Sequence, residues 1–152
     1  MKHLLLLAFF LVHGLLSSGQ SNPSNYDKAL ADSLGANDYG MKAYVLVILK
    51  TGSNVSISKS AADSLFSGHI KNIIRLASEG KLVVSGPMKK NERLYRGIFI
   101  LNVPSIDDAK LLLAQDPAIS GKLLNVEYYE WFGSAALPMY LKFHNKIEKP
   151  NL

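Results

Sequence analysis

The 152-residue chain contains no cysteine. That excludes disulfides, thiolate metal sites and lipid attachment to a cysteine behind a leader, so stability has to come from a packed core or from association with another chain. Histidines are few, four in all, and two of them, His3 and His13, stand in the first stretch, which leaves His69 and His144 for the rest. A set of metal ligands is not in prospect, and no motif calls for a cofactor. The apolar run from Leu4 to Leu16 falls short of the ~20 residues that a spanning helix needs, so a mature protein inserted in a membrane is not expected. Acidic residues are the minority charge, 12 against 17 basic, for a formal net charge of +5. The basic residues are dispersed except at "MKKNERLYRG", where Lys89, Lys90, Arg93 and Arg96 surround Glu92. Nucleic-acid binding asks for a basic stripe with interleaved aromatics. One loop is not a stripe, so no nucleic-acid partner is expected, and the cluster reads as a solvated hairpin, the alternative being that it attracts an anionic ligand.

What is present begins with a leader. Lys2 and His3 precede "LLLLAFFLVHGLL", and "SSGQS" follows, with the small residues Ser17 and Gly19 three and one before a cut at Gln20. This is the signal-peptide pattern. The sequence therefore predicts a signal peptide over 1–19 and a protein exported to the periplasm or the medium of a bacterium. Residues 20–41 form an arm with one short helix, from Tyr26 to Leu34, closed by Gly35.

The domain, 42–133, opens on "KAYVLVILK", whose continuous apolar run marks a strand buried on both faces. A helix is expected from about Lys59 to Glu79, closed by Gly80. "KLVVSGP" and "LYRGIFILNV" make a hairpin around "MKKNER". Ser105 caps a second helix, with Asp108 in the capping-box position, and this helix stops at Pro117. The last strand alternates Leu124, Val126, Tyr128 and Phe132 with Asn125, Glu127, Tyr129 and Trp131. The order β-α-β-β-α-β is the α+β, ferredoxin-like arrangement, with both helices on one face of the sheet. An apolar sheet face cannot stand in water, so either a second copy of the chain or the amphipathic tail over 134–152 must cover the other side. A homodimer packed through either Val45, Val47 and Leu49 or Tyr44, Leu46 and Ile48 is expected, the choice depending on register.

On a helical wheel at about 100° per residue, Leu76, Ala62, Ile73, Phe66, Ala77, Ile70 and Ile74 fill an arc beginning at Leu65. His69 falls inside that arc, while Lys71, Asn72, Arg75, Ser78 and Glu79 lie opposite. A histidine there is either a core residue bonded to a neighbour or a working group. Asp116 bears on the choice. At the C-terminal end of the second helix it faces carbonyl dipoles that disfavour an anion, and Pro117 keeps it out of helical geometry, so it can turn away and pair with an imidazole. The two are expected to be hydrogen-bonded neighbours in a cleft.

Taken together, "HIKNIIRLASEGKLVVSGPM", "RGIFILNV", "SIDDAKLLLAQDPAI" and "VEYYEW" resemble the YciI-like (YCII-related domain) family over about Tyr44 to Trp131. The resemblance implies a dimeric α+β barrel of ferredoxin-like subunits and an active site on a histidine-aspartate pair. His69 matches the family histidine and Asp116 the aspartate of its "DP" motif, while Ser85, Gly86 and Pro87 match the turn lining the same cleft. One member of the family is a dehydrochlorinase acting on a chlorinated hydroquinone.

Two functions compete on these residues. In the first, His69 is a general acid/base oriented by Asp116, moving a proton in an elimination or isomerisation of a small cyclic or phenolic molecule, since imidazole titrates near neutrality. In the second, the cleft is a non-catalytic module for a small-molecule ligand, with Arg96 or the Lys89-Lys90 loop fixing an anionic group.

Overall fold

The computed structural model describes residues 25–149. The predicted signal peptide and its expected cleavage position lie outside the described residues, as do the start of the arm and the last residues of the tail. The arm contributes α1 (Lys28–Leu34), capped by the Asp27 carboxylate on the Leu30 amide and followed by Gly35. Next comes β1 (Met41–Thr51), longer at both ends than its apolar run because Met41, Lys42, Lys50 and Thr51 still pair with β4 (Leu124–Ser134). Between them lie α2 (Lys59–Ser78), β2 (Leu82–Pro87), β3 (Tyr95–Leu101), α3 (Ile106–Leu113) and the single turn α4 (Pro117–Ser120). The sheet order is β2-β3-β1-β4, with every neighbouring pair antiparallel. Two interleaved β-α-β crossovers on one sheet face define the ferredoxin-like α+β fold.

Pairing resolves which face is which. Val45, Val47 and Leu49 pack beneath the helices with Leu76, Phe99, Leu101, Ala109, Leu113, Ala118 and Leu124. Tyr44, Leu46 and Ile48 therefore point to the helix-free side, because strand side chains alternate. Their partners on β4 are Trp131, Tyr129 and Glu127, and on β3 Leu46 and Ile48 lie opposite Ile100 and Ile98. Tyr44 is buried there against the Trp131 ring, and its hydroxyl donates to the Ser134 carbonyl at 2.8 Å. Beyond β4 the chain forms a 3₁₀ turn (Leu137–Tyr140) and α5 (Leu141–Ile147). The Tyr140 hydroxyl donates to the Val83 carbonyl, so the tail carries the chain from the β4 edge of the sheet to the β2 edge.

Two features depart from the sequence reading. First, Pro117 does not stop the second helix. α3 ends at Leu113, and Pro117 is the first residue of α4, where a proline's missing amide hydrogen costs nothing. Second, the buried face of α2 is centred on His69, Asn72 and Leu76, along one edge of the apolar arc. Phe66, Ile70 and Ile74, from the middle of the arc to its other edge, are exposed, and Asn72, assigned to the polar side, is buried. The wheel weighted all apolar residues alike, but part of that arc faces an open cleft instead of the core.

Candidate active site

The site is assembled where α2 crosses the turn between α3 and α4. Gly68 permits the approach: a Cβ at this position would lie 2.6 Å from Pro117 Cγ, closer than packed atoms allow. One residue on, His69 Nδ1 is 2.8 Å from Asp116 Oδ2. The same oxygen accepts from Asn72 Nδ2 at 3.0 Å. The other oxygen, Oδ1, accepts from the amides of Ala118 and Ile119 at 3.0 and 3.2 Å, which makes Asp116 the N-cap of α4. The sequence placed this carboxylate against a helix C-terminus. It stands instead at the junction of two helical segments, where the second supplies amide donors.

Asp116 is 0% exposed, and four donors converge on it. Burial alone would raise its pKa. The hydrogen bonds from His69 and Asn72, the charge of an imidazolium and the Ile119 amide act the other way and hold the carboxyl below its ordinary value. An ionised carboxylate only accepts, so the proton between the pair resides on Nδ1. Asn72 is itself oriented, because its Oδ1 accepts from Arg75 Nη2 at 2.8 Å, and Arg75 is held by Glu79 on the helix surface. A chain of side chains thus runs from solvent through Arg75 and Asn72 to Asp116 and His69.

The imidazole is also fixed by its rings. Phe99 stacks on it at 5.8 Å with a 22° interplanar angle, and Phe66 meets it edge-on at 6.1 Å. Among the described residues no buried side-chain nitrogen or oxygen lacks a hydrogen-bond partner. Nε2 has no partner, so it is not sealed in the core and opens on the cleft that His69 lines. With Nδ1 protonated, the neutral imidazole presents a lone pair at Nε2, the arrangement of a base.

The cleft holds about 360 Å³ and is lined by Leu49 and Leu124, by Phe66, Ile70 and Ile73 of α2, and by residues of the β2–β3 hairpin. Such a volume is at the small end of ligand sites. Ser85, Gly86, Pro87 and Arg96, the residues expected to contact a ligand, all line it together with His69. Asp116 does not; it stands behind the imidazole. Sequence reasoning missed Asn72, Phe66 and Phe99 as site residues. Asn72 was findable, since it lies three positions from His69 and so shares its helix face. Phe99 shows no local signal, because only the sheet register places it under the ring.

No family model matches the chain, and no curated protein matches it. Among solved structures, the chain is similar to 5-chloro-2-hydroxyhydroquinone dehydrochlorinase from Burkholderia phenoliruptrix AC1100, in complex with 2,5-dihydroxybenzoquinone, at 16% sequence identity. That match covers 57% of this chain and 92% of the other, with a TM-score of 0.43. The fold assignment here rests on the strand order and the crossovers. Among the described residues no helix is long and apolar enough to cross a membrane.

Proposed function

We propose that this is an exported, YciI-like protein whose His69 acts as a general acid/base on a small cyclic or phenolic molecule, in an elimination or isomerisation. The observation that carries the reading is the geometry of the pair: Asp116 Oδ2 lies 2.8 Å from His69 Nδ1, on a histidine that lines the cleft, an arrangement that favours the Nδ1–H tautomer with Nε2 free to act as the base. Nε2 takes a proton from a ring carbon or hydroxyl, the imidazolium so formed is stabilised by the carboxylate behind it, and the proton is returned at a neighbouring atom or lost with a leaving group. Asp116 bonds the imidazole, Asn72 bonds Asp116, and neither lines the cleft, so they are positioning residues. Ser85, Gly86, Pro87 and the exposed Arg96 line the same cleft as His69.

The apolar lining equally suits a module that binds a small ligand without chemistry. The two readings separate in heavy water. Incubated with a panel of cyclic ketones and phenols, a proton-transfer enzyme exchanges acidic C–H hydrogens for deuterium, and His69→Gln abolishes the exchange while leaving ligand binding intact. Binding to the cleft with no exchange across the panel favours the module.

The helix-free sheet face supports a homodimer. Tyr44, where the tail leaves the sheet, is buried, while farther along Leu46, Ile48, Ile98 and Ile100 stay only half-buried within the single chain. A second copy covers this surface in the proposed assembly.

A further inference from the structure

We propose that the ligand of the cleft is a small aromatic carboxylate, its carboxylate held by Arg96 and its ring lying beside Phe66 and Phe99; this deepens the proton-transfer reading and takes from it the role of His69. The starting observation is an irregularity in β3. Ile48 pairs with Ile98 and Leu49 with Gly97, but Lys50 pairs with Tyr95, so one extra residue is inserted opposite the Leu49–Lys50 step. Ile98 and Tyr95 belong to the helix-free face, as their partners Ile48 and Lys50 do, and Lys50 lies over the Tyr95 ring on that face. Strict alternation would send Arg96 to the same side as Ile98. The bulge breaks the alternation, and Arg96 lines the cleft next to Gly97. Re-aiming one side chain is a recurrent use of such bulges beside active sites.

Gly97 is required by the same geometry. A Cβ there would come within 2.8 Å of the Gly86 carbonyl oxygen, so the two hairpin strands that form this wall close up without a side chain between them. The result is a cation at the rim of an otherwise apolar space. Among the described residues that line the cleft there is no carboxylate, and the only other ionisable group is His69. The ion pairs of the described lysines and arginines engage Lys28, Lys50, Lys59, Arg75 and Lys110, not Arg96. Lys89, Lys90 and Arg93 lie on the same hairpin, with Glu92 the one acidic residue among them.

A guanidinium is matched in shape and charge to a carboxylate, with two parallel N–H donors. A phenol titrates near pH ~10 and is neutral in ordinary buffer, so it does not satisfy an unpaired cation in the same way. A volume of about 360 Å³ suits one ring with short substituents, and the Phe66 and Phe99 rings offer it stacking and edge contacts.

The test uses three probes on the intact folded protein, followed by imidazole and amide NMR at neutral pH. Benzoate carries ring and charge, benzamide the ring alone, and acetate the charge alone. Benzoate is expected to shift the His69 and Gly97 resonances and to bind at least tenfold more tightly than benzamide, with acetate producing no such shifts at equal concentration. Arg96→Met should bring benzoate down to the level of benzamide and leave benzamide unchanged. Arg96→Lys should retain part of the preference; because Arg96 is exposed, both variants should fold. Equal affinity for benzoate and benzamide, equal response to acetate, or a benzoate preference that survives Arg96→Met overturns the proposal. Benzoate has no C–H acidic enough for an imidazole to abstract, so its binding is read independently of turnover. His69→Gln that keeps benzoate and loses all exchange activity supports both readings, whereas benzoate binding by a wild-type protein with no exchange activity leaves this proposal standing and removes the catalytic one.

Discussion

His69 and Asp116, 47 positions apart, share one short hydrogen bond of 2.8 Å, and the oxygen that receives it also receives the amide of Asn72. Two donors from one face of α2 therefore grip a single carboxylate oxygen, while the amides of α4 grip the other. The carboxylate has no freedom to rotate, and neither has the imidazole bonded to it.

Asn72 should accordingly matter more than its distance from the cleft suggests. Asn72→Leu removes a donor from the buried carboxylate and takes from Arg75 Nη2 its acceptor, while Glu79 still holds Nη1, at an expected cost of ~1–3 kcal/mol in stability. Proton-transfer activity should fall and its pH profile should change, whereas Asn72→Gln, which retains the amide, should restore part of both. Urea denaturation and a pH-rate profile check this. A purely structural Asn72 would move stability and leave the profile where it was.

Gly68→Ala forces a methyl toward the Pro117 ring, which is tethered and cannot swing away. Overpacking of this kind typically costs ~1–3 kcal/mol. Since Pro117 follows Asp116 directly, the strain should also separate the pair, so loss of activity is expected to exceed that of an equally destabilising substitution far from the site. Parallel measurement of melting temperature and turnover in Gly68→Ala and in Leu101→Ala, a core position at the other end of β3 from the cleft, decides this.

The depressed pKa of Asp116 makes a pH-dependent contribution to stability with a definite sign. A carboxyl whose folded value lies below its unfolded value of ~3.9 binds fewer protons when folded. Its contribution is fully present above that value and is lost as pH falls through the lower, folded value. Below pH ~4 the wild-type protein should therefore lose stability more steeply than Asp116→Asn, which has no proton to take up there. Denaturation midpoints from pH 6 down to pH 2 give the two slopes, and equal slopes would contradict the assignment.

The strand pattern, the capped second helix and the α+β order were legible because each is written in local chemistry: the apolar run of β1, Ser105 with Asp108, and the turn residues between β2 and β3. Ser105 Oγ indeed accepts from the Asp108 amide at 3.1 Å, although the Asp108 carboxylate returns to the Ser105 hydroxyl and not to its backbone. The His69–Asp116 contact was legible for a reason that is only half physical in the structure. A misplaced histidine did need a partner, but Asp116 is relieved by the amides of α4 as well, and a four-residue helical turn after a proline leaves little periodicity to read. The facing of Phe99 and the bulge at Arg96 depend on register across three strands, which no single stretch of sequence encodes.

The sheet face away from the helices gives a prediction about assembly. Sedimentation at micromolar concentration should show a dimer, and Ile98→Glu, which places a charge on that face, should yield a folded monomer. A monomeric wild-type protein would assign the cover to the tail alone, held by Tyr140 on Val83.

The central claim is that Asp116 fixes the proton of His69 on Nδ1 and so exposes Nε2 as the base. Its most direct test is the ¹⁵N spectrum of the neutral imidazole, followed as a function of pH. The account predicts a protonated Nδ1 and an unprotonated Nε2, with Nε2 the nitrogen that responds when a ligand enters the cleft, and loss of this tautomer bias in Asp116→Asn. A ring protonated on Nε2, or a bias unchanged by Asp116→Asn, would contradict it.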